Sequence, residues 1–295
     1  MTLDVLLAVL VAALLHAGWN AMAKGGSKEQ AGGGHGDALT RSALIALGSA
    51  AVALPALALT GLPAWESAPY LAASAAIHVG YFVLIGLAYR DADYSAIYPL
   101  VRGGAPLLTA LIASAWLGEA LGAVAWTGIA LLCCGVVGLG ADALGRGGLT
   151  RRGAALAALT AAVVVAYTLT DGLGARASGD AAAYVLAMMG LTGLLLLPLA
   201  LVLARGRGGL REASGSAWAL GLVGGAMATL SYGTALWAMT RAPIGLVGAV
   251  RETSVLFAAL IAVLVLRERF GVARWVAAAA IVAGLALAQA ATAKQ

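Results

Sequence analysis

The chain has 295 residues, 62% of them hydrophobic and only 11% charged, with a net charge of +5 and a mean hydropathy of +0.95. Soluble domains carry about a quarter charged residues, so this composition excludes a water-soluble core and describes a lipid-embedded protein. The surplus of Lys and Arg (18 against 13 Asp and Glu) orients loops in such a protein; no basic patch is interleaved with aromatics, so nucleic acid is not an expected partner.

A hydrocarbon core about 30 Å thick needs roughly 20 apolar residues of helix. By that ruler the chain holds ten spans: 3–23, 39–60, 68–89, 94–117, 121–140, 153–174, 181–203, 215–238, 243–266 and 271–290. They are continuous rather than alternating, which predicts helices and not barrel strands. The first lacks a basic leader and reads as a retained span rather than a cleaved signal. It carries His16, Asn20 and Lys24 four residues apart, with Trp19 beside them. Lys24 fits the helix end, while His16 and Asn20 fit the wall of a polar cavity. The Gly-rich stretch from Lys24 to Asp37 follows, with His35 expected in solvent.

The third run holds His78 and Tyr81 about one turn apart, and the fourth holds Tyr98, Arg102 and Pro106. Arg102 lies about 8 residues, roughly 12 Å, inside its helix. A charge at that depth costs at least about 2.5 kcal/mol even on lenient insertion scales. Pro106 has no N–H and leaves the Arg102 carbonyl without its helical donor. Cys133 and Cys134 are adjacent in an apolar stretch, a spacing that suits helix packing and offers neither a disulfide framework nor a metal site.

The sixth run carries Tyr167, Thr168, Thr170 and Asp171, the last placed by the sequence near the helix end as a solvated charge. The eighth carries Gly221 and Gly225 in GxxxG spacing for close helix contact, then Ser231, Tyr232 and Trp237. Trp65 and Trp218 fit the interfacial belt. The ninth run, expected as one helix, holds Arg251 about 8 residues in, followed directly by Glu252. Two arginines at matched depth read either as an anion-grasping pair for a carboxylate, phosphonate or phosphate, or as groups bonded to carbonyls and snorkelling. Glu252 reads as a structural counter-ion or as a proton-coupling group, with Asp171 and His16 the other proton-coupling candidates.

An internal repeat joins these observations. At an offset of 149, Val101-Arg102 falls on Val250-Arg251, Leu117-Gly118-Glu119 on Leu266-Arg267-Glu268, Trp126 on Trp275 and Gly135 on Gly284, with 13 identities in the 35 positions from Val101 to Gly135. The expected architecture is therefore an all-α polytopic membrane protein of ten transmembrane helices in two five-helix repeats, 1–145 and 150–295. Five is odd, so the second repeat is inverted in the membrane. Glu119 and Glu268 occupy matched turns and are expected to cap helix N-termini. Thirteen Lys and Arg fall on the side of loops 1–2, 3–4, 5–6, 7–8 and 9–10 and three on the other, which places the first side in the cytoplasm and both termini outside.

The blocks "HAGWNAMAK" (16–24), "YPLVRGGAPLLTALIASAWLGE" (98–119) and "VRETSVLFAALIAVLVLRERF" (250–270) resemble the drug/metabolite transporter superfamily, the EamA family in particular. The second half departs from that pattern with "LRE" for "LGE" and Val255 for Pro106. The resemblance implies a small-solute carrier, often an exporter, with a cavity between the halves, and both termini in the cytoplasm, opposite to the charge count.

Together these readings predict a secondary transporter of a small metabolite with an anionic group, such as an amino acid or phosphonate, in the bacterial inner membrane. Substrate binding falls to Arg102, Arg251, Glu252, His16, Trp19, Asn20, His78, Tyr81, Tyr98, Tyr167 and Tyr232. No cofactor or metal is expected, no P-loop spacing exists for ATP hydrolysis, and the chain is read as a monomer or weak homodimer and not as an enzyme. The alternatives are a membrane enzyme or flippase acting on lipid-linked substrates, against which the short loops count, and an interaction subunit that moves nothing.

Overall fold

The computed structural model describes residues 1–25, 36–91, 94–140, 150–203, 213–264 and 271–292. The described residues are helical, without strands: α1 (Leu3–Gly25), α2 (Gly36–Thr60), α3 (Ala68–Asp91), α4 (Tyr94–Leu117), α5 (Ala123–Leu139), α6 (Arg151–Ala177), α7 (Ala181–Leu203), α8 (Gly215–Met239), α9 (Ile244–Arg251), α10 (Ser254–Leu264) and α11 (Val272–Thr292). Each of the ten apolar runs coincides with helix, the ninth being divided between α9 and α10. Eight of these segments are long and apolar enough to cross a membrane; α3 and the 17-residue α5 are the other two.

Local chemistry sets the helix ends. Thr150, Ser214 and Asp180 accept the first free backbone N–H groups of α6, α8 and α7, from Gly153, Ala217 and Ala182. Gly118, just past α4, has φ +67°, which an L side chain rarely adopts, and the chain turns there so that Glu119 N–H reaches back to the Ala113 carbonyl at 3.3 Å.

Most of the packing runs between the halves rather than within them. α5 lies along α11; α2 packs on α7 and α8; α1 packs on α8, α9 and α10; α3 packs on α6 and α7; and α4 packs on α6 and α9. Small residues allow the close approaches. A Cβ on Gly128 of α5 would lie 2.5 Å from Ala288 N of α11, and one on Gly284 of α11 would lie 2.6 Å from Gly128 O. The GxxxG pair does the same on α8, where a Cβ on Gly221 would sit 2.9 Å from the Leu44 carbonyl oxygen of α2 and one on Gly225 would strike Ser49 N. Trp65 and Trp218 are exposed, as a belt position requires.

One expectation is corrected here: the ninth run is not one helix. It stops at Arg251, turns through Glu252 and Thr253, and resumes at Ser254. At the break the bonding tightens to i→i+3, with Glu252 N on Ala249 O and Thr253 N on Val250 O, both 3.0 Å. The Thr253 hydroxyl donates to Val250 O at 2.8 Å and so competes with the helical ladder. Arg251, Glu252, Thr253 and Ser254 are all buried. Irregular backbone at membrane depth is tolerated where protein, not lipid, surrounds it.

Candidate functional site

The break in the ninth run faces α4, and there the two arginines part company. Arg102 Nε lies 2.8 Å from Glu252 Oε2, with both side chains nearly buried at 12% and 8% exposure. The N–H is not aimed along that line, so the contact is an ion pair rather than a hydrogen bond. Arg102 Nη2 also donates to Ser254 Oγ at 2.5 Å. Glu252 thus pairs with the arginine of the other half and not with its own neighbour, because successive helix residues point about 100° apart.

Arg251 is 8% exposed, and its guanidinium carbon lies 5.1 Å from the centre of the Tyr232 ring. Its Nε has no hydrogen-bond partner among the described residues. A cation over a desolvated aromatic face gains about 2 kcal/mol, which holds the group in place without occupying its N–H donors.

Beyond Tyr232 lies a buried carboxylate. The Tyr232 hydroxyl donates to Asp171 Oδ2 at 2.5 Å and the Tyr184 hydroxyl to Oδ1 at 3.0 Å. Asp171 is therefore fully buried, against the expectation of a solvated helix end. The reason is geometric: α6 continues to Ala177, and α7 and α8 close over it.

The remaining candidates form an aromatic wall against this pair. His78 stacks on Tyr167 with ring centres 4.7 Å apart, Tyr81 stands edge-on to Tyr167 at 5.8 Å, and Tyr232 stands edge-on to Tyr167 at 6.4 Å. His78 Nδ1 lies 2.9 Å from the Ser74 carbonyl oxygen and 3.2 Å from its hydroxyl, one turn back on α3. His16 lies within electrostatic reach of both arginines, as Tyr167 does, and its ring meets Trp19 edge-on at 5.1 Å. Asn20 turns inward on its own helix, its amide donating to the His16 carbonyl at 2.8 Å.

The structure therefore gathers Arg102, Arg251, Glu252, His16, His78, Tyr81, Tyr167, Asp171 and Tyr232 into one cluster. Tyr98 and Lys24 lie on helix ends whose side chains fall outside the described residues, as do His35 and Glu268. Sequence reasoning passed over Tyr184, Ser254 and Ser74. Tyr184 sits three residues into an apolar helix and looks interfacial; Ser254 and Ser74 had one available signal, a hydroxyl within a turn of a charged or imidazole side chain.

Glu119 was expected to cap a helix, and it does so across the halves. Its carboxylate accepts from Ile244 N at 2.8 Å and Gly245 N at 3.2 Å, the first amides of α9. Arg176 Nη2 completes the clasp at 2.8 Å from Glu119 and 3.1 Å from Ala242 O.

A buried, multi-helix cluster with one guanidinium paired to a carboxylate and one lying against a ring face is chemically able to take up an anionic group. Residues 152–289 match the model of the EamA-like transporter family. This matched segment, a little under half of the chain, covers α6 to α10 and most of α11, and so Asp171, Tyr184, Tyr232, Arg251 and Glu252. EamA proteins are membrane transporters, and the apolar helices here are those of a multi-pass membrane protein. A solved crystal structure superposes over 98% of this chain and 98% of its own length, with a TM-score of 0.76 at 22% sequence identity, which shows a shared fold. Among curated proteins nothing matches.

Proposed function

We propose that this EamA-like protein is a secondary transporter that exports a small metabolite bearing an anionic group, an amino acid or a phosphonate, across the bacterial inner membrane. The observation that carries the reading is Arg251, a buried guanidinium beside a broken span, held against Tyr232 with Nε unpartnered among the described residues. Such a cation is costly in a bilayer unless something anionic visits it. Arg102, Glu252, His16, Trp19, Asn20, His78, Tyr81, Tyr98, Tyr167 and Tyr232 complete the proposed site, with Glu252, Asp171 and His16 available for proton coupling.

The movement is alternating access between two inverted five-helix halves, 1–145 and 150–295. The packing supports this division. The principal contacts between the halves exchange in pairs: α1 on α8 answers α3 on α6, α2 on α8 answers α3 on α7, α4 on α6 answers α1 on α9, and α2–α7, α5–α11 and α4–α9 map onto themselves. Inverted repeats around a midplane site with a discontinuous helix are a common plan for carriers. The arginine-rich loops lie in the cytoplasm on this reading.

The test is flux. Purified protein in proteoliposomes, screened with labelled amino acids, phosphonates and nucleosides, is expected to move an anionic-group solute, and Arg251→Ala is expected to stop it. Transport that is indifferent to Arg251 removes the basis of the proposal.

A further inference from the structure

We infer that the site sets a charge limit: Arg251 alone anchors the ligand anion, and Glu252 restricts the cargo to one anionic group by neutralising Arg102. This inference rests on the carrier reading and deepens it. Two guanidiniums by themselves suit a dianion, since each can clamp a carboxylate or share a phosphate. Here they are not equivalent. Arg102 holds Glu252 at 2.8 Å and Ser254 at 2.5 Å. Arg251 is more than nine-tenths buried, lies against a ring face rather than a carboxylate, and its Nε meets no acceptor among the described residues. The nearest buried carboxylate beyond that ring, Asp171, already has both oxygens engaged by Tyr184 and Tyr232.

A second anionic group on a ligand would meet Glu252 beside Arg102. Like charges at such distances in a low-dielectric site repel strongly. The repeat shows where the limit comes from. At the offset of 149, Glu252 falls on Gly103, so the first half supplies no matching acid for Arg251. A Cβ on Gly103 would lie 2.9 Å from the Cys133 carbonyl oxygen, so α4 needs a glycine there to pack on α5, and close packing excludes the symmetric acid. With Glu252 on Arg102 and Asp171 held behind the Tyr232 ring, Arg251 is the guanidinium left without a carboxylate against it.

The experiment uses norleucine and 2-aminoadipate, six-carbon amino acids that share the ammonium group and differ by one carboxylate. Apparent affinities are read from the rise in unfolding temperature of the detergent-purified full chain as each is titrated. Wild type is expected to prefer norleucine at least tenfold. Glu252→Gln is expected to strengthen 2-aminoadipate binding at least tenfold, and the double variant Arg102→Gln/Glu252→Gln to return the ranking to that of wild type. Should Glu252→Gln not fold, the double variant decides alone: keeping the ranking supports the inference, losing it overturns it. An unchanged ranking in a folded Glu252→Gln protein, or a wild type that does not discriminate, overturns the charge limit. If neither probe binds while proteoliposomes transport another solute, the charge limit falls and the carrier reading stands. If no solute is transported, both fall.

Discussion

Val101-Arg102 and Val250-Arg251 are the same dipeptide at the same depth in matched runs, yet they end in different electrical settings. Around Arg102 the helix is continuous, although Gly103, Gly104 and Pro106 make it the weaker sequence. Around Arg251 the helix breaks, although no proline or glycine stands at the break. Local propensity points to the wrong copy. The buried hydroxyls and carboxylate of Glu252, Thr253 and Ser254 decide it: Thr253 takes a backbone carbonyl, while Glu252 and Ser254 reach across to Arg102. The lesson is that matched sequence conveys a position, and the partners found there convey the role.

The comparison is broken most severely by Arg102→Ala. It strands a buried carboxylate, so we expect lost transport and a fall in unfolding free energy of about 3–5 kcal/mol, with membrane insertion intact. Flux, membrane fractionation and denaturation in detergent read the three effects. Arg251→Ala is expected to separate them: transport is lost as completely, but the stability cost is confined to the cation–aromatic contact, about 0.5–2 kcal/mol. Equal destabilisation by the two variants would erase the distinction between a paired and an open arginine.

Asp171→Asn sharpens the open side. The amide keeps the shape but removes a charged acceptor from Tyr184 and Tyr232, so a loss of about 1–2 kcal/mol is expected, together with weaker ligand binding because Tyr232 backs Arg251. An Asn variant as stable as wild type, with unaltered affinity, would reduce Asp171 to a bystander. The smallest effect belongs to Glu119→Gln, which weakens the clasp on α9. Arg176 is partly exposed at 34%, so solvent screening holds the loss to about 1 kcal/mol or less, seen as a minor drop in unfolding temperature. A collapse of the fold in that variant would show the clasp to be central.

Much of the buried polar cluster is legible in the chain. Arg102, Arg251 and Glu252 stand out because charge is scarce in apolar runs, and His78, Tyr81, Tyr167 and Tyr232 follow from polar tips on otherwise greasy helices. Their partners were not visible. Adjacency suggests Arg251 for Glu252, and the structure gives Arg102. Asp171 counts as terminal by its distance along α6, and α7 and α8 bury it. Tyr184 resembles a belt residue until α7 turns it onto Asp171.

What the sequence determined by itself is the membrane class, the ten helical runs and the depth of the two arginines. Lipid offers the backbone no hydrogen bonds, so each span must be a long apolar helix that satisfies its own, and hydropathy records that demand residue by residue. The tertiary structure alone decided the broken ninth run, the Arg102–Glu252 pair, the open Arg251 and the burial of Asp171. Those outcomes depend on how helices far apart in the chain rotate and cross, and that is set by the close contacts of many small residues acting together rather than by any local stretch.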